Sequence, residues 1–526
     1  MLGSRGVSRP ASRRGAEARR APPIHGKKLR PLLALAFACL LGAAPAVAVV
    51  IKPGDDLHAV VKRHPAGTTF EFEPGLYRLK APFVPRDGDR FIGKPGAVLS
   101  GAKPLTSFVR EGKYWVAADQ TQEGNHSVPD PKWTDPYCLN THPRCLYPED
   151  LFIDDKPLHH IDRLNKVRAG TWFFDYARDK IYLAEDPSGR KVETSVVVQA
   201  FRGSAKDVVI RGLTIEKFAG PLEQGAIHGW EAYPGNVEEQ PGQNWVVEGN
   251  EVRLNHSVGI TLYGGQALRN HLHHNGQFGL ETLGNNLLIE GNEISYNNFA
   301  GVNPNYAAGA TKFWASENLV VRKNIVHHNL GYGLWTDNDN LKTLYEENQA
   351  YENQYAGILH EISQDAVIRN NVVKNNGIGG DPRQIYISNS RNVEIHHNTV
   401  EVPDLPGGDF GNWGILLWQE ERGEGERNRG PHRTINNYVH HNTILHHGPR
   451  GKTGISYMDE QQAAIVLNGN NRFDSNVYRV PHKDGDYWSW QEELDWDGFR
   501  AKGQERKGTL SPVPPGTPRR PAIRKK

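Results

Sequence analysis

The sequence predicts an all-β chain: a right-handed parallel β-helix, a solenoid of short strands, with an N-terminal cap and a small inserted β-rich subdomain. Three observations predict it. The first is a repeat. Two asparagines five residues apart, with a glycine four residues on, recur as Asn250–Asn255–Gly259, Asn270–Asn275–Gly279, Asn292–Asn297–Gly301, Asn324–Asn329–Gly333 and Asn348–Asn353–Gly357; a fixed period of this kind marks stacked units. The second is texture. Runs such as WVVEG, LLIEG, LVVRK and AVIRN are short, apolar and broken by Gly or Asn, which suits strands and not helices. The third is composition: a hydrophobic fraction of 37% fits a core that is a thin column. A propeller needs longer periods with four strands each, and a leucine-rich repeat needs its leucine frame.

Residues 1–48 read as a secretory signal. A basic stretch from Arg5 to Arg30 precedes the apolar PLLALAFACLLG, and Ala46-Val47-Ala48 has the small-residue cleavage pattern. The apolar run is too short to span a bilayer. Arg13-Arg14 lies too far ahead of it for a twin-arginine signal, and Ala36-Phe37-Ala38 makes a poor lipidation box before Cys39. The expected location is secreted or periplasmic, with no membrane association after cleavage. The first 48 residues carry nine Lys/Arg and one acid, which leaves 53 basic against 59 acidic residues. That balance argues against nucleic acid as a partner. Cys138 and Cys145 remain, and in an exported chain so close a pair reads as a local disulfide.

Residues 49–103 read as the N-terminal cap and first turns: Pro53-Gly54-Asp55-Asp56 opens a short amphipathic helix that covers the end of the stack. Residues 104–194, with FIDDKPLHHIDRL and TWFFDYARDKIYLAEDPSGR, read as antiparallel hairpins of an inserted subdomain. The repeats occupy 195–490. Stacked asparagines should form amide ladders, and glycine should supply the backbone freedom of the corners. Asn371, Asn376 and Gly380 read as an irregular turn, with Asn398 and Asn442 as weaker members. Residues 491–526 end in a Pro-rich basic tail that reads as disordered. Three segments, 219–243, 304–317 and 403–433, read as loops leaving the stack with Trp230, Tyr306, Trp314, Trp413 and Trp418, and such loops commonly build binding sites.

Columns after the corner glycines locate the candidate chemistry. The first position, Ile260, Leu280, Val302, Leu334, Ile358, is apolar and faces inward. By alternation the second and fourth face outward. The second is Thr261, Glu281, Asn303, Trp335, Leu359; the fourth is Tyr263, Leu283, Asn305, Asp337, Glu361. Asp337 and Glu361 therefore stand side by side on adjacent turns, although directly opposed like charges destabilise a sheet. A cation could relieve them, or they could be a working pair of carboxyls beside an aromatic residue, which suits sugar chemistry. Asp339 is a competing candidate past the strand. His360 has inward parity, which suits either orientation of Glu361 or a hydrogen-bonded core histidine. The groove set is Trp335, Glu281, Asn303, Asn305 and His360, with Trp314 from a loop. The doublets His273-His274, His327-His328, His396-His397 and His440-His441 recur with the ladder asparagines and read as repeat register; zinc would need ligands converging on one point.

The cap and ladder resemble the pectate-lyase-like right-handed β-helix superfamily over most of residues 50–480. GLWTD, followed 24 residues beyond Asp337 by Glu361 in ILHEISQDAVIRNN, is similar to the active-site turns of the bacterial β-helix β-xylosidases, which also carry a small β domain interrupting the early helix. The resemblance implies a nucleophilic Asp337 and an acid/base Glu361; Asn338 after the Asp and His360 before the Glu depart from that pattern. The expectation is a secreted retaining glycoside hydrolase acting on a polysaccharide or oligosaccharide, with no required cofactor and calcium as a possible ligand. Two rivals stand beside it. A polysaccharide lyase acting on a uronate needs a basic residue, which Arg322 or Arg369 keeps open. A non-catalytic glycan-binding or adhesion solenoid predicts an outer face without clustered acids.

Overall fold

Each turn of the repeat contributes three short strands, as 324–348 does with Ile325–His327, Leu334–Asp337 and Leu344–Glu346. Each strand pairs in parallel with its equivalent on the next turn: Ile325 with Gln349, Leu334 with Ile358, Leu344 with Val367. The chain is a right-handed parallel β-helix. The computed structural model describes residues 48–513 except 130–134, 232–239, 381, 406–410, 424 and 426–429. The signal-like leader, apart from Ala48, and the end of the basic tail lie outside the described residues. Among those described, one sheet of 13 strands holds the first strand of each turn. A composite sheet of 23 holds the other two, which run together in Val258–Leu268 and Phe278–Glu290.

Inward residues form one apolar column, from Ile51 and Phe70 past Ile260, Leu280, Leu334 and Ile358 to Trp488. The helix Leu57–Arg63 covers its N-terminal end. Asp56 caps that helix by accepting from Ala59 N at 3.1 Å, and Leu57 and Val61 pack on the column. Residues 102–195 build two smaller sheets, largely antiparallel, around a separate core that includes Leu151, Trp172 and Leu183. A buried Lys217, paired with Glu193 at 2.5 Å, ties this unit to the solenoid. Cys138 and Cys145 are bonded to each other, and their loop is tied to the stack where Leu139 N donates to Gly301 O (2.9 Å) and Asn303 N to Tyr137 O (2.7 Å).

Amide ladders run along the stack. Asn324 shows the pattern: its backbone N and its Nδ2 both donate to Asn348 Oδ1 at 3.0 Å, and Nδ2 also donates to Ile289 O at 2.9 Å. The first ladder continues Asn250–Asn270–Asn292–Asn324–Asn348–Asn371–Asn398–Asn442–Asn476. The second runs Asn255–Asn275–Asn297–Asn329–Asn353–Asn376. Asn371 and Asn376, taken from sequence as irregular, are regular rungs; after Asn376 the second ladder passes to Gln384 (3.0 Å), which replaces asparagine in the next rung.

Among the five corner glycines only Gly301, with φ 75°, uses the backbone freedom expected of it. Gly333 and Gly357 do not adopt positive φ. A Cβ at Gly333 would lie 2.4 Å from Gly357 O, and one at Gly357 2.5 Å from Asn376 Nδ2. Close approach of backbone and ladder amide excludes a side chain there. Positive φ falls instead on the residue before each ladder asparagine: Lys323, His328, Glu347 and Glu352 all lie between 54° and 57°. A non-glycine residue in this region costs about 1–2 kcal/mol, and the ladder bonds that follow offset it.

The first ladder ends on an acid. Asn476 N donates to Glu505 Oε2 (3.1 Å) and Asn476 Nδ2 to Oε1 (2.6 Å), while Tyr478 OH donates to Oε1 (2.9 Å). Burial pushes the Glu505 carboxyl up to about 7, against the hydrogen bonds from Asn476 and Tyr478. A raised folded-state pKa stabilises the fold below the unfolded value, and this contribution is lost as pH rises through about 7. Glu505→Ala should therefore cost on the order of 1–3 kcal/mol by leaving buried donors unpaired, whereas Glu505→Gln, which keeps an acceptor, should cost less and flatten the pH dependence of Tm between about 4.5 and 7. Equal melting temperatures for Glu505→Ala and the parent protein would contradict this terminal rung.

Candidate active site

Asp337 and Glu361 end two adjacent parallel strands, Leu334–Asp337 and Ile358–Glu361. The register pairs Trp335 with Leu359 and Thr336 with His360, so the carboxylates are the next residues along and point outward from rows about 4.8 Å apart. Trp314 precedes Asp337 in the same row, Ser388 follows Glu361, and Trp418 comes next.

Two cations hold the pair together. Lys312 Nζ lies 3.2 Å from Asp337 Oδ2. Arg422 donates to Glu361 Oε1 at 3.2 Å. Trp335 Nε1 donates to Glu361 Oε2 at 3.1 Å. Two carboxylate oxygens of the groove, Asp337 Oδ1 and Glu281 Oε2, are buried without a hydrogen-bond partner among the described residues. Burial and then the neighbouring Asp337 push Glu361 up to about 7, against Arg422, Lys312 and the Trp335 hydrogen bond. Burial alone would lower the Lys312 amine, but Asp337, Glu223 and Glu281 outweigh it and hold the amine above its ordinary value. Glu281, 1% exposed, accepts from Trp314 Nε1 at 3.2 Å. Burial, aided by Glu223, raises its carboxyl well above the usual range, against Lys312 and the Trp314 hydrogen bond.

The backbone under the pair is pinned by a third polar ladder. Asn340 Nδ2 donates to Asp337 O (2.6 Å) and Ser363 Oγ to Glu361 O (2.7 Å). Asn340 N in turn donates to Ser363 Oγ (3.1 Å), and Ser363 N to Ser390 Oγ (3.0 Å). Each of these two strands is thus fixed at its end by the corner residue of its own turn and by the next turn's.

Several sequence expectations are corrected here. Asn303 and Asn305 are not in the groove columns. After Gly301 the chain leaves the stack through the short helix Pro304–Ala307, which Asn303 caps. It returns in the strand Gly309–Trp314, whose Lys312 pairs with Glu281 and whose Trp314 pairs with Asp337. Asn305 is exposed, and Asn303 Nδ2 donates to Pro136 O at 2.8 Å. The inward Val302 is likewise replaced in its column by Thr311. Trp314, Trp413 and Trp418, read as loop residues, lie on strands. His360 is 0% exposed in the core; its Nδ1 meets Thr336 Oγ1 at 2.6 Å, and burial lowers it to about 3, so it does not reach the groove. Trp335 is 4% exposed with Lys312 Nζ 4.5 Å above its ring. It braces Glu361 and offers no open face; Trp314, half-buried beside Asp337, is the accessible ring. Asp339 turns away to His432 at 3.0 Å. The groove read from sequence held no cation. Lys312 and Arg422 supply two, while Arg322 and Arg369 pair with Glu290 and Glu346 elsewhere on the stack.

Removing the Trp335 indole donor should test this arrangement. Trp335→Phe keeps the apolar packing but frees Glu361 Oε2; since that bond favours the charged form, the Glu361 pKa should rise. The Glu361 carboxyl followed by NMR should then titrate at higher pH, and an unshifted titration would show that Trp335 does not bear on Glu361.

Residues 237–400 match the family described as right handed beta helix region. Comparison with curated proteins finds no match. Among solved structures, the complex of XylC with xylose superposes with a TM-score of 0.58 at 15% identity, covering 84% of this chain and 82% of that one. The A-module of the Azotobacter vinelandii mannuronan C-5 epimerase AlgE6 gives a TM-score of 0.46 at 14% identity, over 85% of this chain and 91% of that one. At these identities the likeness is one of fold.

Proposed function

We propose that the chain is an exported retaining glycoside hydrolase whose nucleophile is Asp337 and whose acid/base is Glu361. The observation that carries this reading is the pair itself: two carboxyls on adjacent rows about one strand spacing (~4.8 Å) apart, a placement suited to the close pair that a covalent glycosyl intermediate needs, in environments that set them apart. Lys312 holds a positive charge on Asp337, while burial and the Asp337 charge keep a proton on Glu361 near neutrality. Glu361 gives its proton to the leaving oxygen as Asp337 attacks the anomeric carbon; water, deprotonated by the same Glu361, then releases the sugar. Trp314 is the ring beside Asp337 against which a sugar can lie. The fold shared with the xylose-bound XylC supports a small neutral sugar as the glycone. The signal pattern of residues 1–48 supports a secreted or periplasmic location and a substrate met outside the cytoplasm.

A second reading, eliminative cleavage of a uronate, is favoured by Lys312 and Arg422 in the groove. It is weaker because the Lys312 amine is held above its ordinary pKa by the acids around it, the wrong direction for a general base.

Purified protein on a panel of oligosaccharides should release sugar with retained configuration by NMR and no unsaturated ends. Asp337→Ala should lose at least three orders of magnitude in kcat, on the scale of removing a covalent nucleophile, with azide restoring turnover as the inverted glycosyl azide. Glu361→Ala should spare substrates with good leaving groups. Full activity of Asp337→Ala, or unsaturated products, would overturn the assignment.

Because Glu361 must enter the cycle protonated, kcat/KM should fall as pH rises through about 7. In Glu361→Ala on an activated substrate that alkaline limb should vanish; its persistence would assign the titration to another group.

A further inference from the structure

Away from the groove, on the outer face of the 13-stranded sheet, one turn differs from all its neighbours. The outward pair of strand positions just after the first-ladder asparagine is Glu251/Arg253, His271/His273, Glu293/Ser295, Ile325/His327 and Gln349/Tyr351 on successive turns. Only the second of these places two imidazoles on one strand face. The register sets His271 beside Glu251, one turn away.

We infer that Glu251, His271 and His273 form a zinc site that holds adjacent turns of the solenoid together. Their ligand atoms all lie within 4.8 Å of one another. The two rings are stacked with centroids 4.0 Å apart, and His273 Nε2 already faces Glu251 Oε1 at 3.2 Å, so a small turn of the His271 ring brings a third donor to that contact. Two imidazoles and a carboxylate are the donor set that zinc takes, at about 2.0–2.2 Å, when a fourth position is left to water or a further ligand. Glu293, whose Oε1 lies 3.8 Å from His271 Nε2, stands on the other neighbouring turn to fill that position.

The surroundings suit this role. Glu251 Oε2 accepts from Thr214 Oγ1 at 3.1 Å, which leaves Oε1 for the ion. His273 Nδ1 lies 2.8 Å from His274 Nδ1, and a proton shared there leaves the Nε2 lone pair free to ligate. Such outer contacts orient metal ligands. Arg253 competes, since it donates to Glu251 Oε1 at 2.9 Å, but it also donates twice to Glu216 Oε2, at 2.9 and 3.0 Å, and keeps that partner when Glu251 turns to a metal. The His271 side chain is 45% exposed, so an ion can enter from solvent.

The test is titration of the full-length, chelator-stripped protein with zinc chloride by calorimetry, with Tm followed in parallel. One equivalent should bind, and Tm should rise with zinc concentration, as for any ligand specific to the folded state. His271→Ala, an exposed change that leaves the Glu251–His273 contact in place, should weaken binding by at least about 10-fold and remove the zinc-dependent rise in Tm, with glycan turnover unchanged. Absence of binding by the parent protein would overturn the site. So would parent-like affinity in His271→Ala, which would place the ion at another histidine doublet. Neither result bears on the Asp337–Glu361 pair.

Discussion

A buried side-chain amide with one partner above, one below and a backbone carbonyl within reach is the constraint from which the rest of this molecule follows. The side-chain amide of a ladder asparagine such as Asn324 gives two N–H groups and accepts two, and it is buried. A buried donor left unmade costs about 1–3 kcal/mol, so a turn of the wrong length is penalised at every rung. The same bonds hold the residue before each asparagine at positive φ and bring the corner glycine so close to the next turn that no Cβ fits. Register along the whole solenoid is therefore set by polar contacts, while the apolar column supplies the bulk of the stabilisation.

The candidate catalytic pair exploits that register. Identical positions on neighbouring turns are forced to about one strand spacing, which is costly for two carboxylates and useful for two that must act on one bond. The cost is met by cations brought in from two different excursions: Lys312 on the strand that follows the 301–308 detour, and Arg422 from the segment after Trp418. The two cations do not act alike. Lys312 and Arg422 each face one carboxyl, but Glu361 also feels Asp337 and burial strongly enough to keep its proton near neutrality. The third ladder, through Asn340 and Ser363, fixes the carbonyls of both residues, so the geometry of the pair rests on the stack and not on the loops.

The architecture was legible in the sequence because its cause is local and periodic. An asparagine every turn, a glycine four residues after its partner, and short apolar runs specify strand, corner and ladder without reference to anything distant. The prominence of Asp337 and Glu361 was legible for the same reason, as a break in the habit of a column. Where the period was interrupted, the reading failed. Counting straight on from Gly301 put Asn303 and Asn305 in the groove; the chain instead leaves the stack for eight residues and returns with Lys312 and Trp314. Nothing local distinguishes a detour from a strand when both begin after the same glycine.

The sequence by itself determined the solenoid, its turn positions, the outward parity of Asp337 and Glu361 and the inward parity of His360, because each depends on alternation along a strand and on a repeat that the chain writes out. Only the tertiary structure decided which groups neutralise the carboxylates, that Trp335 is a covered brace while Trp314 is the open ring, that Glu505 closes the first ladder, and that His271 and His273 meet Glu251. Those outcomes depend on side chains converging from separate turns and excursions. Two of those separations, 61 residues from Glu361 to Arg422 and 29 from Asn476 to Glu505, carry no period to be read.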